Sequence, residues 1–486
     1  MQPPSLPSIA INTPPPPPRI DGLPLRTIPG GYGLPVVGPL LDRLNYFWFQ
    51  GPDTFFRKRI EKYKSTVFRT NVPPCFPFFT GVNPNVVAVL DCQSFSHLFD
   101  MEIVDKRNIL VGDFMPSVKL TGGVRVCAYL DPTEDDHAKV KSFAMSILKK
   151  SSSVWVSSLL SSLDTMWTSI DESISKDGKA SVLGPLQKCL FTFLSKSIVG
   201  ADPARYSPKL ADSGFIMLDK WLALQLLPTI HIPAFQPLVE IFLHSFSYPF
   251  WLVKGDYEKL THFVAQEGKE VIQWAETEYG LSRETTIHNL LFILGFNAYG
   301  GFSVFLPILI NILGTDSTGL QDRLREEVRE KCGSTTPSFN TVQGMPLVKS
   351  FVYETLRLNP PVPMQYGRAK KDFLLTSHDA AFEVKRGELL CGYHKLTMRD
   401  PKVFSDPETL DPERFVGEKG RELLKYLYWS NGPQTGEPSP LNKQCPGKET
   451  VVLTTCLLVA HLFQRYDYFK IDSSGSIVAA EKAKQV

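Results

Sequence analysis

The segment Leu441-Asn-Lys-Gln-Cys-Pro-Gly-Lys448 constrains this chain more than any other, because it delivers a cysteine to the start of a long apolar helix. From Lys448 to Phe463, the side chains Val451, Val452, Thr455, Leu458, Val459 and Leu462 recur three and four apart, the spacing of one helix face. Cys445 stands three residues before that run, where unpaired backbone N–H groups and the positive end of the helix dipole favour a thiolate. A thiolate there suits a metal ion. Taken alone, however, a cysteine in this position is more simply a small buried hydrophobe, so the surrounding sequence has to decide.

At 486 residues the chain exceeds the size at which single cores usually stop growing. No low-complexity linker interrupts residues 20 to 486, which read as one large domain or two tightly fused lobes. With 43% hydrophobic and 21% charged residues and a formal net charge of +2, the composition is that of a globular protein. No dense Lys/Arg cluster offers a surface to a nucleic-acid partner. The eight cysteines, Cys75, Cys92, Cys127, Cys189, Cys332, Cys391, Cys445 and Cys456, form no CxxC pair. They indicate neither a zinc site nor a disulfide framework, and the seven besides Cys445 read as small buried side chains.

Residues 1–19, with the run Pro14 to Pro18, hold no acidic side chain and cannot form a packed core. They read as a disordered arm, compatible with a short plastid transit segment although poor in arginine. The strongest apolar run, Phe302 to Leu313, contains Pro307 and falls short of the roughly 18 residues needed to span a bilayer. The chain is therefore expected in solution, or lying peripherally on a membrane, with no transmembrane segment.

Between Ser151 and Tyr299 the periodicity is helical; Trp155, Leu159, Leu160, Leu163 and Met166 mark one face. Runs at Thr66 to Asn71, Val86 to Leu90 and Phe373 to Val384 predict a small sheet beside the helical bulk. The fold class is thus mainly α with a small β-rich lobe. Further along, Phe351-Val-Tyr-Glu-Thr-Leu-Arg-Leu-Asn-Pro-Pro361 sets Glu354 and Arg357 at i, i+3 on a helix that Pro360 and Pro361 end. The same spacing at Glu326/Arg329 and Glu418/Arg421 reads as solvated helix faces. Glu354 and Arg357 are distinguished by the sequence downstream of them: first Pro412-Glu-Arg-Phe415, whose Arg414 can close a structural charge triad, and then the cysteine loop.

In this order, the helix pair, the Pro-Glu-Arg-Phe segment and the cysteine loop resemble the cytochrome P450 superfamily, from about Pro29 to the C-terminus. The resemblance implies a triangular prism of helices with a smaller β-rich lobe, enclosing haem b between them. It makes Cys445 the axial thiolate ligand, a ligation that tunes iron toward oxygen–oxygen bond cleavage.

Two departures bear on what the haem does. Superfamily monooxygenases carry a Gly followed by an Asp/Glu and a Thr on the central helix; here the stretch reads Gly295-Phe-Asn-Ala-Tyr-Gly-Gly-Phe-Ser-Val-Phe305. Asn297 is its one strongly polar side chain apart from Ser303. An amide hydrogen-bonds an oxygen but relays no proton as a carboxylate does, and it could equally cap or kink the helix. Second, twelve residues, Pro433 to Gln444, separate Gly432 from the cysteine where the superfamily has three. Such a loop alters the surface on which electron donors usually dock.

Both departures resemble the plant fatty-acid hydroperoxide branch: allene oxide synthases, hydroperoxide lyases and divinyl ether synthases. So do Ile28-Pro-Gly-Gly-Tyr-Gly-Leu-Pro-Val-Val-Gly38, Asp42-Arg-Leu-Asn-Tyr-Phe-Trp-Phe-Gln50, Val67-Phe-Arg-Thr-Asn-Val-Pro-Pro74 and Trp429-Ser-Asn-Gly-Pro-Gln434. The likeness implies a fatty-acid hydroperoxide substrate that brings its own activated oxygen, so that neither dioxygen nor a reductase is needed. It also places Lys106, His137 and Lys141 at the haem propionates, with Lys443 beside the ligand.

All members share O–O homolysis and closure of the alkoxyl radical to an epoxyallylic radical. Oxidation and proton loss then give an allene oxide, whereas return of hydroxyl gives a hemiacetal that falls apart into an aldehyde and an oxo-acid. Leu110 stands where similar allene oxide synthases carry Phe and lyases carry Leu, and Ala298 after Asn297 is also lyase-like, whereas Pro446-Gly447 is a synthase-like pair. The resemblance leans to a 13-hydroperoxide lyase of the chloroplast, or otherwise of the cytoplasm. Phe114, Leu110, Ala298, Phe302 and Val304 are candidate pocket walls, and Lys254 is a candidate partner for the substrate carboxylate. The alternatives are a divinyl ether or allene oxide synthase, a conventional monooxygenase and a non-enzymatic haem lipid-binding protein.

Overall fold

The computed structural model describes residues 19–483 apart from 21, 76–78, 80, 233–237 and 430. Residues 1–18 of the proline-rich arm lie outside the described residues. Helices dominate the rest, and two of them flank the cysteine. The longest, Asp135–Asp177, starts well before the predicted Ser151, with Asp135 and Asp136 in its first turn facing the positive end of its dipole. It ends at Gly178, whose φ of 71° is the left-handed conformation that glycine adopts without steric cost. The helix after the cysteine, Lys448–Arg465, buries Val452, Cys456, Val459, Leu462 and Phe463. It packs against the long helix and against Leu320–Cys332 and Pro346–Leu358.

The central helix runs unbroken through Arg283–Thr315, with a π-helical stretch at Ile293–Tyr299. It corrects the expectation that no apolar segment reaches spanning length. By length and composition this helix alone among the described residues could cross a membrane, because Asn297 and Pro307 interrupt the apolar run without interrupting the helix. Its side chains Leu290, Leu291, Leu294, Phe305, Leu309 and Leu313 belong to the main apolar core. Gly295 explains how closely it is packed: a methyl group there would come within 2.8 Å of both Leu218 and Trp221 on the helix Pro208–Leu226.

The predicted strands are present, and Phe373 to Val384 resolves into a hairpin of Phe373–Thr376 and Ala381–Val384. A five-stranded sheet orders Val67–Asn71, Asn85–Val89, Leu389–Tyr393, Met364–Ala369 and Val104–Asp105. Its second and third strands pair in parallel, which is why Leu389–Tyr393 is buried along its whole length and shows no alternation in sequence. Beneath it lies a smaller apolar cluster built from Phe47, Phe55, Phe56, Phe68 and Tyr366.

Between the sheet and the cysteine loop, the irregular backbone from 398 to 411 is held by ions. Arg357 Nε and Nη2 donate to the two Glu354 oxygens at 2.7 and 2.8 Å, and Arg414 Nε lies 3.1 Å from both. The remaining guanidinium N–H groups donate to the carbonyls of Met398, Ser405, Asp406, Pro407 and Thr409. Glu354 and Arg357 are both 0% exposed. In contrast, Arg329 pairs with Asp467, not with its i−3 neighbour Glu326. Replacing Glu354 by Gln leaves two guanidiniums without their counter-charge, and breaking a buried pair typically costs about 3–5 kcal/mol. Denaturant unfolding of E354Q is expected to show a lowered midpoint of that size; an unchanged midpoint would deny the triad its structural role.

Candidate functional site

Cys445 sits in the turn before the helix Lys448–Arg465, whose N-cap residue is Gly447. Its thiol departs from the expectation of a dipole-favoured thiolate. Burial pushes its pKa up, opposed by the Gly447 N–H, the Lys141 ammonium and Lys448. A bound metal cation would act in the opposite direction and favour the thiolate. A methyl group at Gly447 would stand 3.8 Å from Cys445 Sγ and from Leu148, an ordinary contact, so nothing in the protein itself requires the glycine. All eight cysteines are free; six are buried, whereas Cys127, like Cys445, is only partly so, contrary to the expectation for seven.

Around the cysteine the structure gathers four of the predicted basic residues. Lys106 and Lys141 are each 2% exposed and His137 is fully buried. Lys106 Nζ donates to the Tyr366 carbonyl, and its backbone N–H to Asp131 Oδ2 at 2.8 Å. Lys443 Nζ donates to the carbonyls of Cys127, Ala128 and Leu130 at 2.7 to 3.2 Å. Lys141 Nζ donates to Asn442 O at 3.1 Å and to Gln444 O, and His137 Nδ1 donates to Pro440 O at 3.1 Å. The His137 Nε2 is buried without a partner among the described residues.

None of the three ammoniums forms an ion pair with a carboxylate among the described residues. Burial accordingly pushes all of them down: Lys106 to about 7, with Lys443 adding to the effect, and Lys141 to about 8. Lys443 falls for the same reason. His137 is pushed to about 4 by burial and by the Lys443 and Lys141 charges. A cluster of buried cations satisfied only by carbonyls is short of anions, and two carboxylates of a bound group would fit it. Asp131 and Gln444 were not legible in sequence as members of this site, because their contacts depend on how the backbone turns.

On the central helix, Asn297 lies within the π-helical stretch. Between residues 285 and 310, only Asn297 and Val304 are exposed. Seven residues apart, they share one helix face and open an accessible strip in an otherwise packed wall. The Asn297 amide makes no hydrogen bond among the described residues, so it neither caps nor braces the helix. Phe292 and Phe296 stack beside it, with ring centroids 4.5 Å apart. Leu110, Ala298 and Phe302 belong to the same apolar cluster, Leu110 and Ala298 partly buried and Phe302 2% exposed. Phe114, also 2% exposed, meets Phe79 edge-on, in a tight turn where its N–H and C=O bond those of Val111. Val304 is 50% exposed, an open wall at most. Lys254 stands apart: it is a solvated surface residue, 3.7 Å from Glu258 one turn on.

A family model described as Cytochrome P450 matches residues 315–476. The "Fatty acid hydroperoxide lyase, chloroplastic" of Solanum lycopersicum is 61% identical over 464 residues, 95% of this chain and 97% of that protein. The "Linolenate hydroperoxide lyase, chloroplastic" of Arabidopsis thaliana is 58% identical over 485 residues, 99% of this chain and 98% of that one. The "Allene oxide synthase, chloroplastic" of Linum usitatissimum follows at 42% over 470 residues, 96% and 87% of the two chains.

The shift at Lys106 has a stability signature. Its folded pKa of about 7 lies below the ordinary 10.5, so between those values the unfolded chain binds more protons than the folded one. Stability of the haem-free chain is therefore expected to rise as pH climbs through that window. Urea unfolding at about pH 7 and about pH 9 should show this slope in the native chain and a smaller one in Lys106→Met, where Lys141 and Lys443 still contribute. A slope undiminished in the variant would deny Lys106 its share.

Proposed function

Because the chain belongs to the cytochrome P450 family, in its fatty-acid hydroperoxide branch, we propose that it is a fatty-acid hydroperoxide lyase. The observation that carries this reading is likeness along nearly the whole chain to two hydroperoxide lyases, with allene oxide synthases more distant. It cleaves a polyunsaturated fatty-acid hydroperoxide to a short-chain aldehyde and an oxo-acid, with the 13-hydroperoxide of linolenic or linoleic acid as the favoured substrate. The names of the same relatives support a chloroplast location.

Cys445 would hold the iron of haem b, while Lys106, His137 and Lys141 would face the propionates, with Lys443 beside the ligand. When bound, the haem supplies homolysis of the substrate O–O bond. The chain's own residues do the rest. Asn297, unpartnered on the accessible strip of the central helix, holds the peroxide oxygens by hydrogen bonding, donating through its amide N–H and accepting through its carbonyl. It has no carboxylate beside it, so no proton relay to dioxygen is built in and no reductase is called for. Leu110 presents aliphatic surface, not an aromatic face, to the delocalised carbon radical. That favours return of hydroxyl over oxidation, hence the hemiacetal and its cleavage. Phe114, Ala298, Phe302 and Val304 line the apolar path of the acyl chain.

Purified haem-loaded protein given the 13-hydroperoxide of linolenic acid, without NADPH or reductase, should yield a six-carbon aldehyde and a twelve-carbon oxo-acid by mass spectrometry. Ketols would indicate an allene oxide synthase, a vinyl ether the third branch, and untouched substrate would overturn the reading.

Two substitutions sort the roles. Asn297→Ala should slow hydroperoxide loss by about a hundredfold with haem retained, the scale of losing one preorganised hydrogen-bonding group. Leu110→Phe should move product toward ketols at little cost in rate. An unchanged rate in the first, or an unchanged product mixture in the second, would remove the role assigned to that residue.

A further inference from the structure

The loop that carries Cys445 is far longer than a simple ligand turn, and a long loop holds a side chain in one place only if its backbone is itself held. Two sets of contacts do this from opposite sides. On one side, the first turns of the helix Asp135–Asp177 present His137 and Lys141 four residues apart. Between them they capture the carbonyls of three alternate loop residues: Pro440 by His137, Asn442 and Gln444 by Lys141.

On the other side stands the Gln444 side chain. Its amide nitrogen donates to Pro433 O at 2.5 Å, and the side chain lies flat against two glycines at the start of the loop. A methyl group at Gly432 would come 2.6 Å from Gln444 Cδ, and one at Gly436 would come 2.8 Å from its Oε1. Neither glycine needs a positive φ, so it is this wedge that excludes larger residues. Asn442 adds an inner brace, its Oδ1 accepting the backbone N–H of Gln444 and of Ser439 at 3.1 Å and its Nδ2 donating to Glu437 O at 2.9 Å.

We propose that Gln444 is a positioning residue: with Lys141 as the opposing jaw, it clamps the backbone immediately before Cys445 and so presets the sulfur for the iron. The proposal rests on the haem–thiolate reading above and adds to it. Lys141 then has two tasks, since both of its observed partners are loop carbonyls and its charge is still without a carboxylate among the described residues. The extra loop residues Pro433 to Pro438 serve to fold back and supply the surface on which Gln444 bears.

The test uses the full-length, haem-loaded protein and the position of its reduced carbon-monoxide band, which reports whether iron is bound by thiolate or by neutral thiol. Gln444→Ala should lower the thiolate share at rest. It should also speed conversion to the thiol-bound form in dilute urea about tenfold, the scale of losing one buried hydrogen bond and its packing. The global unfolding midpoint, read by tryptophan fluorescence, should stay within error of the native protein. Gln444→Met, which keeps the wedge but not the hydrogen bond, should fall between the two, and it decides the matter if Gln444→Ala cannot be loaded with haem. Native-like conversion in the variants would overturn the clamp. A native protein without any thiolate band would instead sink the haem–thiolate reading, and Cys445→Ala, which must abolish the band, separates the two failures.

Discussion

The geometry of this molecule depends on a carboxylate that two arginines share in the interior. Glu354 is reached by Arg357 from its own helix and by Arg414 from the segment before the cysteine loop. The pair of guanidiniums then spends its remaining N–H groups on the carbonyls of residues 398 to 409, a stretch with no regular secondary structure to satisfy them. Charge here replaces a sheet or helix as the scaffold of an irregular chain. The interaction is costly to desolvate and contributes to stability only as a complete set, so it acts as a register pin more than as a source of net energy. What it pins is the irregular stretch from 398 to 411.

A second constraint of the same physical kind, but opposite in outcome, surrounds the cysteine. The ammoniums of Lys106, Lys141 and Lys443 are buried with carbonyls for company and no carboxylate partner among the described residues. Carbonyl dipoles solvate a cation without neutralising it, and the depressed lysine pKa values record the shortfall. The triad is complete within the protein; the basic cluster is complete only with anions from outside it. That difference separates a structural ionic network from a binding site more clearly than burial does, since both are buried.

Much of this was legible in sequence because it rests on spacing. The apolar face after Cys445 comes from periodicity and the pair Glu354 and Arg357 from spacing and order, whereas the run around Asn297 was singled out by resemblance to the family. What was not legible depends on backbone path. The parallel strand Leu389–Tyr393 is buried on both faces and shows no alternation. The wedge of Gln444 against Gly432 and Gly436 joins residues of one loop that only the folded turn brings together. Lys254 was plausible as a pocket cation by residue type alone and lies on the surface beside Glu258. The central helix misled in the other direction: its apolar run, holding Pro307, read as too short to span a bilayer, yet the helix extends over Arg283–Thr315.

The π-helical stretch at Ile293–Tyr299 bears on how such a helix can change over generations. A π turn accommodates one residue more than an α turn, so it acts as a joint between two helical phases. Upstream of it Leu290 and Leu291 face the core, downstream Phe305 and Leu309 do the same, and each half keeps its own angular setting. Within the joint Ile293, Leu294, Gly295 and Tyr299 stay buried while Asn297 alone is exposed. Selection can therefore alter the chemistry presented at that point, one side chain at a time, without asking either half of a thirty-three-residue helix to rotate.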